Sequence, residues 1–249
     1  MNTISLFTVP VLNVTKDEAV ALILASLHDA SPSSIFFVNA HCINLAFRDS
    51  TYRLRLQQAK YVFADGIGMK LAAAILGIPL TDNVNGTDLF PLLCEAMQSA
   101  EFRIFLLGGE PGIAERMRTL TLEKYPNLRI VGSQHGYYSP EEESQVIQTI
   151  RSSQSDLLLV ALGVPKQEKW IADHVNECGV KAAIGVGGLF DFYSRKITRA
   201  PRWMRNAGLE WLYRLYQEPG RLWKRYILGN VYFLWLVMKT WYASFRPRN

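Results

Sequence analysis

Residues 103–112 read R-I-F-L-L-G-G-E-P-G. Arg103–Leu107 is an apolar run of strand length. Two glycines and an acid follow, and Pro111 is suited to a first helical position ahead of a segment of helical character that reaches Lys124. A strand apolar on successive residues is buried on both faces, and a helix after it carries the chain back to start a parallel neighbour. The same cadence recurs on either side. Ser34–Val38 stops at Asn39, Tyr61–Ala64 at Asp65-Gly66, Asp156–Leu162 at Gly163, and Ala182–Val186 at Gly187-Gly188, with Leu128–Val131 as a further run. Thr87–Ser99, Pro111–Lys124, Pro140–Arg151 and Pro165–His174 supply helices between them. This alternation specifies an α/β fold, a Rossmann-like parallel sheet with helices on both faces. Upstream, Ile4–Val14 forms a small hairpin interrupted by Pro10. Thr15-Lys16-Asp17-Glu18 has the form of a capping box, and the helix after it aligns Val20, Ile23, Leu24 and Leu27 on one face.

The charge distribution divides the chain near residue 195. Residues 1–194 carry 15 Lys/Arg and 20 Asp/Glu, and residues 195–249 carry 12 and 2, so a core of net −5 precedes an appendage of net +10. Between Arg195 and Arg225 the cations alternate with Trp203, Trp211, Tyr213, Tyr216 and Trp223. Pro201–Asn206 and Leu209–Gln217 read as short helices, and Pro219 opens a third that runs toward Met238. Within it Tyr226–Met238 is apolar nearly all round, but its 13 residues fall short of the roughly 20 that cross a bilayer. Cations followed by an aromatic, apolar helix suit a segment lying in a membrane interface, with Lys239, Arg246 and Arg248 toward anionic lipid. The competing reading is a C-terminal helix packed on its own core. Three cysteines, odd in number and without C-x-x-C, fit free thiols in a reducing compartment. The N-terminus lacks the basic start and long apolar core of a signal peptide, so a cytoplasmic protein is expected.

In open parallel sheets ligands gather at the carboxyl ends of the strands. Asn39, Asp65-Gly66, Gly108-Gly109, Gly163 and Gly187-Gly188 all fall there, and five such ends together point to a site. Gly108–Gly112 at a helix start can seat a diphosphate, or is a plain turn. It is not G-x-G-x-x-G, and no carboxylate stands about 20 residues on to hold a nicotinamide ribose. Asp65 reads as a helix cap or as a partly desolvated general base. Gln167, in G-V-P-K-Q-E, reads as a solvated helix start or as an amide presented to a base or sugar. His28, His41, His135 and His174 are scattered, and neither H-x-x-x-H nor D-x-D occurs, so neither a metal nor a cofactor is expected. A diphosphate would then need arginines as its charge partners. A nicotinamide-dependent oxidoreductase and a nucleic-acid-binding module are the rival readings; the first lacks its fingerprint, and nucleic acid is not expected as a partner.

With these residues in hand the chain resembles the WecG/TagA/CpsF family of bacterial glycosyltransferases. The resemblance rests on V-N-A-H (38–41), A-D-G-I-G (64–68), N-G-T-D-L (85–89), F-L-L-G-G (105–109), G-Y-Y (136–138), A-L-G-V-P-K-Q-E (161–168), G-V-G-G-L-F-D (185–191), R-A-P-R-W (199–203) and L-E-W-L-Y-R-L-Y-Q-E-P-G-R (209–221). It implies inverting, metal-independent transfer of a sugar, often N-acetylmannosamine, from a UDP-sugar to a sugar carried on undecaprenyl diphosphate. Asp65 is then the base. Asn39, Gly66, Asn85, Gly108, Gly109, Gln167, Gly187 and Gly188 line the donor pocket, and Arg199, Arg214, Arg221 and Arg225 receive the acceptor diphosphate at the membrane. Two positions depart from the common pattern: Asn83, where many members have arginine, and Phe37, where many have threonine. A different hexose such as glucose is therefore the alternative donor. The resemblance is compatible with a homo-oligomer.

Overall fold

The computed structural model describes residues 2–244; Arg246 and Arg248 lie outside them. An N-terminal hairpin joins β1 (Thr3–Leu6) to β2 (Val9–Leu12) through Phe7 and Thr8, both at positive φ, the geometry of a two-residue turn matched to strand twist. Pro10 lies within β2, opposite Ser5. Next come α1 (Lys16–Ser26), β3 (Ser33–Val38), α2 (Ala40–Arg48), α3 (Ser50–Gln58), β4 (Tyr61–Ala64), α4 (Ile67–Ile75) and α5 (Gly86–Met97). The second half contains β5 (Arg103–Gly108), α6 (Ile113–Lys124), β6 (Arg129–Gln134), α7 (Glu143–Ser152), β7 (Leu157–Ala161), α8 (Lys166–Cys178), β8 (Ala182–Gly185) and α9 (Leu189–Tyr193).

One eight-stranded sheet runs β1-β2-β4-β3-β8-β7-β5-β6; only the hairpin pair is antiparallel. All six expected strands are present, and five of them are buried. The exception is β6, R-I-V-G-S-Q at the edge of the sheet, where only Ile130 is buried. The inner strands are apolar because helices cover both faces, which leaves two clusters of core residues, one around Phe36, Phe105 and Trp170 and the other around Phe63, Phe90 and Ile184. The capping box closes α1: Glu18 N–H donates to Thr15 Oγ1 at 3.2 Å and Thr15 N–H to Glu18 Oε2 at 2.7 Å. Val20, Ile23 and Leu27 of that helix face are buried, while Leu24 is half-buried.

Beyond residue 195 the chain forms α10 (Arg202–Asn206), α11 (Glu210–Gln217), α12 (Pro219–Trp223), a π turn over Lys224–Leu228, and α13 (Gly229–Ser244). The last helix presents two unlike faces. Phe233, Leu236 and Val237 are buried in the cluster that contains the hairpin and α2. Phe233 meets Phe7 edge-on at 5.7 Å, Arg48 lies 4.3 Å over the Tyr232 ring, and Asn44 Nδ2 donates to the Gly229 carbonyl at 2.7 Å. On the other side Ile227, Leu228, Val231, Leu234, Trp235 and Met238 are exposed. The apolar run over Tyr226–Met238 is thus a core stripe and an open face together. Among the described residues no helix is long and apolar enough to cross a membrane.

Candidate active site

The sheet register assembles the centre of the site. Val38 pairs with Ala64, and Asp65 N–H donates to the Val38 carbonyl at 2.8 Å, so Asn39 and Asp65 stand side by side at adjoining strand ends. Asn39 caps α2, its Oδ1 accepting the N–H groups of His41 at 3.1 Å and Cys42 at 3.3 Å. Asp65 keeps part of its surface open to solvent. Burial nevertheless pushes its carboxyl up to about 6, against the pull of a hydrogen bond from the Asn39 side chain and of the Arg225 and Arg214 charges, with Glu210 pushing the other way. Gly66, the residue before α4, stands at φ +92, a conformation that L side chains rarely adopt, and its N–H donates to Asn83 Oδ1 at 2.6 Å. An arginine at 83 has no acceptor atom to offer that N–H. Phe37 lies against Gly86, beneath the start of α5.

The glycine ends of β5 and β8 complete the floor. A Cβ on Gly108 would overlap the Ala161 backbone, so β5 and β7 approach closely only because residue 108 has no side chain. The N–H of Gly109 donates to the Ala161 carbonyl at 3.1 Å and so is already engaged within the protein. Helix α6 begins at Ile113, after Gly112 in a left-handed conformation, and Pro111 precedes it rather than opening it. Gln167 is buried, not solvated: its Oε1 accepts the Gly187 N–H at 3.0 Å and its Nε2 donates to Glu168 Oε1 at 2.9 Å.

The basic segment closes over these strand ends. The Arg214 guanidinium fits against Gly188, where any Cβ would overlap it, and lies 5.0 Å over the Phe192 ring. Arg214 and Arg221 converge on one oxygen, Glu218 Oε2, at 3.5 and 2.5 Å. Arg225, carried on the π turn, acts through its charge on Asp65, His41 and Glu168; π turns inside helices are frequent at functional sites. Burial, aided by Arg225 and Arg48, lowers His41 to about 4, so its imidazole is neutral at physiological pH. Arg199 is differently placed. It donates to Asp88 at 2.7 Å and to Glu210 at 3.1 and 3.3 Å, a tether between α5 and α11. Asn85 supports that tether, since its Oδ1 accepts the Asp88 N–H and its Nδ2 donates to Asp88 Oδ2, each at 2.8 Å.

A model of the glycosyl transferase WecG/TagA/CpsF family matches residues 4–247. The chain belongs to that family. It is 33% identical over 188 residues to the Bacillus subtilis (strain 168) protein named N-acetylglucosaminyldiphosphoundecaprenol N-acetyl-beta-D-mannosaminyltransferase, which covers 76% of this chain and 72% of the relative. A Staphylococcus aureus (strain MRSA252) protein of the same name is 31% identical over 215 residues, 86% of this chain and 82% of its own. The enzyme is thus a glycosyltransferase, and its site can be judged as one.

In this glycosyltransferase Asn39, Asp65, Gly66, Gln167, Gly187, Gly188, Arg214 and Arg225 converge on one end of the sheet, whereas Arg199 and Asn85 belong to the tether beside it. Among the described residues no three His, Cys, Asp or Glu side chains stand together where they could hold a metal ion. Glu168, fully buried beneath the β8 end, escaped the sequence reading because a helix-start acid in K-Q-E looks solvated. The adjacent Gln167, tied to the same loop, was the available signal.

Proposed function

We propose that the enzyme transfers a sugar, N-acetylmannosamine in the first instance, from a UDP-sugar to the sugar of an undecaprenyl-diphosphate-linked acceptor, with inversion and without a divalent metal. The observation that carries this reading is a single strand-end carboxyl, Asp65, held near a pKa of 6 and faced by arginines from a separate, basic segment. Displacement at an anomeric carbon needs a base on the acceptor hydroxyl and positive charge on the departing diphosphate. Asp65 accepts the hydroxyl proton as that oxygen attacks from the face opposite UDP. A base with a pKa slightly below the working pH is mostly ionised and still basic enough to take the proton. The start of α6 and the guanidinium groups of Arg214, Arg221 and Arg225 supply the compensating charge, in place of a metal.

The relatives' shared name supplies the sugar, the acceptor and the polyprenyl carrier. The open face of α13 and the cations before it rest on the anionic inner surface of the plasma membrane, where a lipid-linked acceptor is presented. The test is incubation with a panel of UDP-sugars and a short polyprenyl-diphosphate N-acetylglucosamine, followed by mass analysis. Addition of one N-acetylhexosamine from UDP-N-acetylmannosamine supports the reading. A hexose adduct from UDP-glucose replaces the donor, in line with Asn83 and Phe37, and no adduct from any UDP-sugar refutes it.

A further inference from the structure

Glu168 is the most deeply buried acid of the site, with no exposed surface, and its neighbour Gln167 is 2% exposed. Its Oε1 accepts from Gln167 Nε2, while its Oε2 is enclosed and has no hydrogen-bond partner. Burying a carboxyl in this way is unfavourable, and an apolar side chain of similar volume would serve packing better. Nor does an acid near a helix start need burial, because an exposed one favours the helix dipole equally well.

What the buried acid does is fix the amide next to it. With Oε1 of Glu168 accepting, Gln167 turns Nε2 toward it and Oε1 toward Gly187, whose N–H then has its partner at 3.0 Å. In the flipped orientation the amide NH₂ would confront the Gly187 N–H, donor against donor. Gly185 leaves room for this amide, since a Cβ there would stand 3.0 Å from Gln167 Nε2. Gly187 is held at φ +55 and the next residue, Gly188, backs the Arg214 guanidinium. A chain of contacts thus runs from the protein interior through Glu168, Gln167 and Gly187–Gly188 to an arginine of the basic segment.

We propose that Glu168 is a positioning residue for glycosyl transfer, fixing the Gln167 amide so that the Gly187–Gly188 loop keeps the shape against which Arg214 and the donor diphosphate are seated. The functional half rests on the sugar-nucleotide reading above; the structural half does not. Arg225 reaches the same carboxyl through its charge.

Two variants of the full-length enzyme separate positioning from bulk stability. Glu168→Met fills the same volume but offers no comparable acceptor, and Glu168→Gln restores one. Hydrogen exchange at Gly187, UDP titration and thermal melting are measured on both. In Glu168→Met the Gly187 amide should exchange at least tenfold faster and UDP affinity should fall about tenfold, the scale of one buried hydrogen bond, with no fall in melting temperature. Glu168→Gln should recover both to within about threefold of wild type. Unchanged Gly187 exchange in the Met variant overturns the proposal, as does parallel loss of function and melting temperature in both variants. If the Met variant does not fold, Gln167→Leu takes its place; failure of that protein to fold as well would assign both residues to stability and end the proposal. A wild-type enzyme that binds no UDP would instead refute the sugar-nucleotide reading, while the exchange measurement still judges the link from Glu168 to Gly187.

Discussion

Arg225→Met keeps most of the length of an unbranched stem and removes the charge. The Arg225 guanidinium is the larger of the two cationic influences on Asp65, whose carboxyl is held at about 6 by burial against those charges. Opposite charges near a carboxylate typically lower its pKa by about 1–3, so losing this one should move Asp65 up by about 1, to near 7. The ionised fraction at pH 6.5 then falls from roughly three quarters to roughly one quarter, about a threefold loss of active base. By pH 8.5 both proteins are almost fully ionised and that loss disappears. Loss of a diphosphate partner adds a second factor that is flat with pH, on the order of tenfold. The assay is kcat from pH 5.5 to 9 with a soluble short-chain acceptor, comparing the acid limbs and not the plateaus. The limb should rise through about 6 in wild type and about 7 in the variant. Superimposable limbs, or a variant limb displaced toward acid, would show that Arg225 does not act on the base.

Other expectations follow from the same contacts. Phe233→Ala removes a ring buried against Phe7 and Gly68. It should destabilise the fold by ~3–5 kcal/mol, seen as a melting temperature lower by about 10 °C; a change under about 1 kcal/mol would mean that α13 is not seated on the core. Lys239→Glu should weaken flotation with anionic vesicles, by about 1 kcal/mol for the lost cation and as much again for the added anion, with no effect on neutral vesicles. Equal binding to both kinds of vesicle would remove the anionic surface from the account. Transfer should persist in EDTA; complete loss that Mg²⁺ or Mn²⁺ restores would require carboxylates brought together only when substrate binds.

The sheet was legible because parallel strands covered on both faces must be apolar residue after residue. Runs such as Tyr61–Ala64 therefore announce themselves, and observed bounds differ from the expected ones by only a few residues. The strand-end asparagine and aspartate were legible for a related reason: polar residues that stop such runs fall on one edge of the sheet. Side-chain partnership was not legible. Arg199 carries the same charge as Arg214, but Glu210 and the sequence-distant Asp88 bind it as a tether. The apolar run over Tyr226–Met238 gave no sign that Phe233, Leu236 and Val237 are the residues that become buried, because α2 and the hairpin that receive them lie about 190 to 230 residues earlier. Glycine motifs conveyed flexibility without conveying which N–H groups remain free, and Gly109 is already committed to Ala161.

The central claim is that Asp65 takes the acceptor proton. Asp65→Asn preserves size and hydrogen bonding while removing the base, so single-turnover transfer and UDP affinity should be measured on the same preparation. Transfer should fall by about 10²–10⁴-fold while UDP affinity and melting temperature stay close to wild type, and the acid limb near pH 6 should vanish from the residual rate. A variant that turns over near the wild-type rate, or keeps that limb, would contradict the account and place the base elsewhere.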